Sequence, residues 1–119
     1  MRRIMTVEEI IHQLKTDSIN VDFSIIIKVI DTYYDFREVE FSNGDTINLA
    51  GQNNGSCKLF SFAKLNDLNQ GETLACFGSY YRNDVLKFPE AIDHQNIRNF
   101  MIHSWDGIQF KDQALRLKA

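Results

Sequence analysis

Two polar segments interrupt an otherwise apolar chain, and each runs into a helix. The first is Asn48-Leu49-Ala50-Gly51-Gln52-Asn53-Asn54-Gly55-Ser56-Cys57. The second is Asp93-His94-Gln95-Asn96-Ile97-Arg98-Asn99. A helix start exposes unpaired N–H groups and about half a positive charge. A thiol placed there has its thiolate favoured, which makes Cys57 a candidate nucleophile. His94, at the first position of its own helix, is kept neutral, as a general base requires. Asn96 or Asp93 would orient that ring, and Gln52 would donate to an oxyanion. Together these residues would make a small cysteine hydrolase or acyltransferase.

Each of these residues also has a plainer role. Free cysteine is among the most often buried residues, and Cys57 opens a helix that is apolar all round. Cys76 lies on the inward side of its helix as an inert thiol. His94 and Asp93 would share a cap, and Arg98 would pair with Asp93 or Glu90. Asn48, Gln52, Asn53 and Asn54 would satisfy loop backbone groups, or present amides to a partner. Tyr80, Tyr81 and Arg82 would cover the core edge or stack on a ligand. The order Gln52, Cys57, His94, Asn96 is similar to that of papain-like cysteine proteases, although their fuller signature is missing. His12, Cys57, Cys76, His94 and His103 have no metal-ligand spacing, so no metal and no cofactor is expected. Gly51 to Lys58 does not fit a phosphate loop, because no hydroxyl follows the lysine.

The elements that must position these groups follow from periodicity. Thr6-Val7-Glu8-Glu9 is a capping box, and Val7, Ile10, Ile11 and Leu14 form one stripe, with His12 off it. Asp22 is expected to cap a second helix with Phe23, Ile26, Ile27 and Ile30 on one face, extended by Tyr33 and Tyr34, although the β-branched run Ile25 to Ile30 would also suit a strand. Val39 to Leu49 alternates around Ser42-Asn43-Gly44-Asp45 and predicts a hairpin. Cys57 to Leu65 predicts a buried helix, and Asn69 or Gly71 to Tyr81 another. Phe88-Pro89-Glu90 breaks the chain. Asp93 then caps a helix from His94 to about His103, with Ile97, Phe100 and Met101 inward and Gly107 as the stop. Ile108 to Leu115 predicts a second hairpin around Lys111-Asp112. A lone hairpin is marginal, so the two segments either pair with each other or pack on the helices. The expected fold is α+β, mainly α: about five helices around one core, with short strands near 39–49 and 108–115.

Composition bounds the rest. The 119 residues suit a single domain spanning 1–119 with its own core. Apolar residues make up 44% and aromatics 12%, which excludes a disordered chain. The net charge of −3 is spread along the sequence without a basic stripe, so nucleic acid is not an expected partner. No apolar run is long enough for a bilayer, and no membrane partner is expected. Met1-Arg2-Arg3-Ile4-Met5 is followed at once by polar residues, which does not fit a secretory signal. Two cysteines suit a reducing cytoplasm. A monomer is expected, with an unidentified protein or small molecule as its target.

Several long blocks carry a family resemblance. They are Phe41-Ser42-Asn43-Gly44, Asn48 to Ala63, Phe77-Gly78-Ser79-Tyr80-Tyr81-Arg82, Asp93 to Met101, and Trp105-Asp106-Gly107-Ile108. In these blocks the chain resembles the HopJ type III effector family over nearly its whole length. The resemblance implies small bacterial proteins and, by the family's name, delivery into a host cell through a type III system. It implies no catalytic or ligand residues. The expected function is therefore a binding or interaction module with loops 48–56 and 93–99 as its surface. The alternative is the cysteine hydrolase.

Overall fold

The computed structural model describes residues 4–119, so the basic start Met1 to Arg3 lies outside the described residues. Helix α1 (Val7–Thr16) begins as its sequence requires. Thr6 Oγ1 accepts from the Glu9 N–H and the Glu9 carboxylate accepts from the Thr6 N–H. Ile10 and Leu14 are buried and His12 is exposed, as the stripe predicts. Helix α2 (Phe23–Tyr33) buries Ile26, Val29 and Ile30. It stops one residue short of the expected end. Tyr34 turns extended and opens strand β1 (Tyr34–Phe36).

Strands β2 (Phe41–Asn43) and β3 (Thr46–Asn48) form the predicted hairpin, with Phe41 opposite Asn48. Helix α3 (Asn54–Leu65) follows and buries Leu59, Phe60, Phe62 and Ala63, while Leu65 at its end is half exposed. Helix α4 (Gln70–Ala75) starts on a second capping box, Asn69 with Glu72. The expectation of one helix to Tyr81 is corrected here. The chain leaves the helix after Ala75, and Gly78 takes a left-handed backbone, φ 61°. A Cβ at Gly78 would lie 2.9 Å from the Phe23 backbone nitrogen, so this turn lets two backbones touch. Tyr80–Val85 then forms a wide π-helical segment.

Helix α5 (Gln95–His103) buries Asn96, Ile97 and Phe100. Met101 is exposed rather than inward, because the buried stripe runs through 97 and 100. A 3-10 turn, Ser104–Gly107, leads into β4 (Ile108–Phe110), and β5 (Leu115–Leu117) ends the architecture. The second hairpin is corrected: β4 and β5 do not pair. β4 lies antiparallel to β2, giving the order β3-β2-β4, and β5 lies antiparallel to β1. The 39–49 and 108–115 segments thus do pair with each other, through β2 and β4. The result is an α+β fold, mainly α, with helices and both sheets closing over Phe41, Phe60, Phe62, Phe77 and Phe100.

Candidate functional site

The two polar loops converge. Asn48 at the end of β3 and Asn96 in the first turn of α5 form a reciprocal amide pair. Asn96 Nδ2 donates to Asn48 Oδ1 at 3.0 Å and Asn48 Nδ2 donates to Asn96 Oδ1 at 3.2 Å. Asn53 Nδ2 donates to the same Asn48 oxygen at 2.7 Å. Asn43 Nδ2 donates to the Asn96 backbone oxygen and to Asn96 Oδ1, at 2.8 and 3.1 Å. Asn99 Nδ2 reaches the Asn43 carbonyl and Thr46 Oγ1 at 2.9 and 2.8 Å. Asn43, Asn48 and Asn96 are all buried, so their amides must find partners inside the protein. Asn43 Oδ1 alone among these three has none.

This network clamps the starts of α3 and α5 together. Both starts share an unusual backbone: Asn53 before α3 and His94 before α5 are left-handed, φ 53° and 51°. Neither has a side-chain cap, whereas α1 and α4 carry full capping boxes. The expected Asp93 cap is therefore corrected. Asp93 turns away to the Arg98 guanidinium, 2.8 Å, which holds its carboxyl below the usual range. Between the helix starts lies a cleft of about 510 Å³. Asn53, Gly55, Ser56, Tyr80, His94 and Asn96 line it, with Phe23, Phe77 and Ile97 as its apolar part and Thr46 and Gln95 completing the wall. A Cβ on Gly55 would stand 2.9 Å from the tip of the Phe23 ring, so that ring would have to shift to admit one.

His94 is held on both sides. Its Nε2 lies 3.1 Å from Asp84 Oδ2 in the π-helical segment, and its ring centroid lies 5.4 Å from that of Tyr80. Tyr80 in turn meets the edge of Phe23. The π-helical segment thus delivers both the stacking ring and the carboxylate that orients the imidazole.

Cys57 does not join this site as a nucleophile. α3 begins at Asn54, so Cys57 is a full turn inside the helix and not at its start. It is 1% exposed, its thiol donates to the Val39 carbonyl, and burial pushes its pKa up rather than down. Cys76 is likewise sealed, with its pKa raised by burial. Gln52 folds back to accept from the Leu49 N–H, and Asn54 donates to Glu38. Arg82 donates to the Val21 carbonyl, tying the π-helical segment to the loop before α2. Arg98 is spent on Asp93 and the Pro89 carbonyl. Tyr81 packs partly buried against the core. Of the residues expected from sequence, Asn53, Tyr80, His94 and Asn96 line the cleft and Asn48 braces it.

The sequence reading missed Asn43 and Asp84. Asn43 was assigned to the hairpin turn, where asparagine is common. Asp84 lies in a segment without a recognisable period. Among the described residues no group of His, Cys, Asp or Glu is placed to hold a metal ion. No helix among them is long and apolar enough to cross a membrane.

A mainly helical α+β domain with a polar-rimmed cleft between two clamped helix starts is the class these observations define. The model of the HopJ type III effector protein family matches residues 7–115, so the chain belongs to the HopJ family. Among solved structures, the chain is similar to the crystal structure of an unknown function protein, VPA0580. The TM-score is 0.95 and the identity 47%, covering 98% of this chain and 97% of that one. No curated protein matches it.

Proposed function

We propose that the chain is a binding module whose recognition surface is the cleft between the starts of α3 and α5. The observation that carries this is the convergence of loops 48–56 and 93–99. They are joined through Asn48, Asn53 and Asn96, and both line one cleft with Tyr80 and His94. Positive-φ non-glycine residues and π-helical segments concentrate at functional sites. Of the four such residues among those described, Asn53 and His94 line this cleft, as does Tyr80 of the π-helical segment, while Asp67 and Ser104 do not. The mixture of an apolar floor with a few convergent polar groups is that of a small-molecule site. A hydrolase built on Cys57 lacks an accessible thiol and is not part of this reading.

The test is a fragment screen on the 15N-labelled protein, read by amide shifts. Hits are expected to move Asn53, Gly55, Ser56 and Gln95, and to weaken in Tyr80→Ala with the remaining spectrum unchanged. Hits that gather on another surface, or an absence of hits, would overturn the proposal. Delivery through a type III system, which the family's name implies, belongs to the same reading. It is checked by fusing a reporter to the chain and comparing secretion from strains with and without a working type III apparatus.

A further inference from the structure

The Asp84–His94 contact fixes the chemical character of one wall of the cleft. Asp84 Oδ2 stands 3.1 Å from His94 Nε2, and Asp93 Oδ2 stands 3.9 Å from the same nitrogen. A carboxylate only accepts, so a neutral imidazole in this setting carries its proton on Nε2 and leaves a lone pair on Nδ1. No described residue hydrogen-bonds to Nδ1. Tyr80 packs on the ring, with centroids 5.4 Å apart and the planes tilted by 42°. The neighbouring amides offer less: the Nδ2 groups of Asn53 and Asn96 are already engaged with Asn48. His94 lines the same cleft as the apolar side chains of Phe23, Phe77 and Ile97.

Resting on the binding reading above, we infer that the cleft takes a flat ring bearing a hydroxyl, a phenol-like group. The ring lies against Tyr80 and the apolar floor, and the hydroxyl donates to His94 Nδ1. Asp84 is a positioning residue that holds the imidazole in the accepting tautomer. The charged groups facing the ring are Asp84 and Asp93, and Arg98 is committed to Asp93.

The experiment compares phenol with anisole, which has nearly the same shape but no donor. Both are titrated into the full 15N-labelled chain at a pH where the imidazole 15N shifts report a neutral ring. Phenol is expected to move the Gly55, Ser56 and Gln95 amides and the His94 Nδ1 resonance. Anisole is expected to bind roughly tenfold more weakly, the size of one neutral hydrogen bond. In Asp84→Asn the amide can either donate to Nε2 or accept from it, so the tautomer is no longer fixed. The imidazole shifts are then expected to report a mixture of tautomers, and the preference for phenol to shrink. Equal binding of the two probes in the cleft overturns the donor assignment while leaving the cleft a binding site. Binding of neither probe overturns the ligand class, and the broader fragment screen then judges the cleft separately. A wild-type His94 with its proton on Nδ1 overturns the inference without any variant.

Discussion

Asn96 is where the two loops become one site. Its Oδ1 accepts from Asn43 and Asn48, and its Nδ2 completes the reciprocal pair with Asn48. Asn96→Ala leaves the Asn48 side-chain oxygen with Asn53 as its remaining side-chain donor, and weakens what holds Asn43. Unsatisfied buried polar groups cost about 1–3 kcal/mol, and that is the expected loss in urea unfolding. A loss below about 0.5 kcal/mol, the scale of a surface change, would mean that the network carries no stability. At this scale the sequence was only half legible. The amide-rich loops stand out by polarity, and Asn53, His94 and Asn96, singled out there as binding or catalytic candidates, line one cleft. Their mutual contacts depend on which strand pairs with which, and that is not a local property. For the same reason Cys57 was misplaced. Its environment is set by where α3 starts, and the left-handed Asn53 moves that start to Asn54.

At the scale of elements, the two-residue capping box was a firm signal, whereas single cap residues were not: Asp22 precedes α2 without a side-chain cap bond, and His94 rather than Asp93 stands before α5. Thr6 with Glu9 marked α1 to the residue. The failures came where backbone conformation, not side-chain period, decides. Gly78 ends the run that periodicity carried on to Tyr81, and the π-helical segment has no sequence rule comparable to the helical stripe. Gly78→Ala combines a left-handed backbone with a clash against Phe23 and Asp22. It is expected to cost roughly 1–3 kcal/mol by thermal or urea unfolding. A neutral result would show that the turn can relax.

A second prediction at this scale concerns α1 and α4, which are joined by Lys15 and Glu72 at 2.8 Å. The Lys15 hydrogen bond, then the Asn69 backbone, lowers the Glu72 pKa. A carboxyl lowered on folding adds stability above its unfolded value, about 4.3 for glutamate. That stability is lost as pH falls through the lower folded value. Lys15→Met should therefore be less stable than wild type near neutrality. The gap should narrow on acidification, as followed by urea midpoints across pH. A gap that is constant with pH would assign the effect to packing of the lysine stem.

The whole molecule turns on Phe60. Its ring meets Phe100 at 5.0 Å, Phe77 at 5.5 Å, Phe41 at 6.2 Å and Trp105 at 6.4 Å between centroids. It therefore joins α3 to the turn after α4, to α5 and to β2 at a single point. Phe60→Ala should cost roughly 3–5 kcal/mol in urea unfolding, the range for a fully buried aromatic. A loss under about 1 kcal/mol would mean that the cavity collapses freely. That α3 is buried was readable from its all-round apolarity, and the α+β class from the mixture of periods. The division of the strands into two sheets was not readable, because each strand is three residues long and the β1–β5 and β2–β4 pairings join segments far apart along the chain.

That division has a consequence in time. β1 ends at Phe36 and its partner β5 begins at Leu115, so residues 37–114, about two thirds of the chain, form the loop between them. Closing a long loop carries an entropic cost before any contact returns it. The helices can dock first, and the β1–β5 ribbon seals the core last. Leu115, fully buried in β5, should thus report a late event. Leu115→Ala is expected to speed unfolding while leaving the folding rate nearly unchanged in stopped-flow measurements. A matching slowdown in folding would place this ribbon in the nucleus instead.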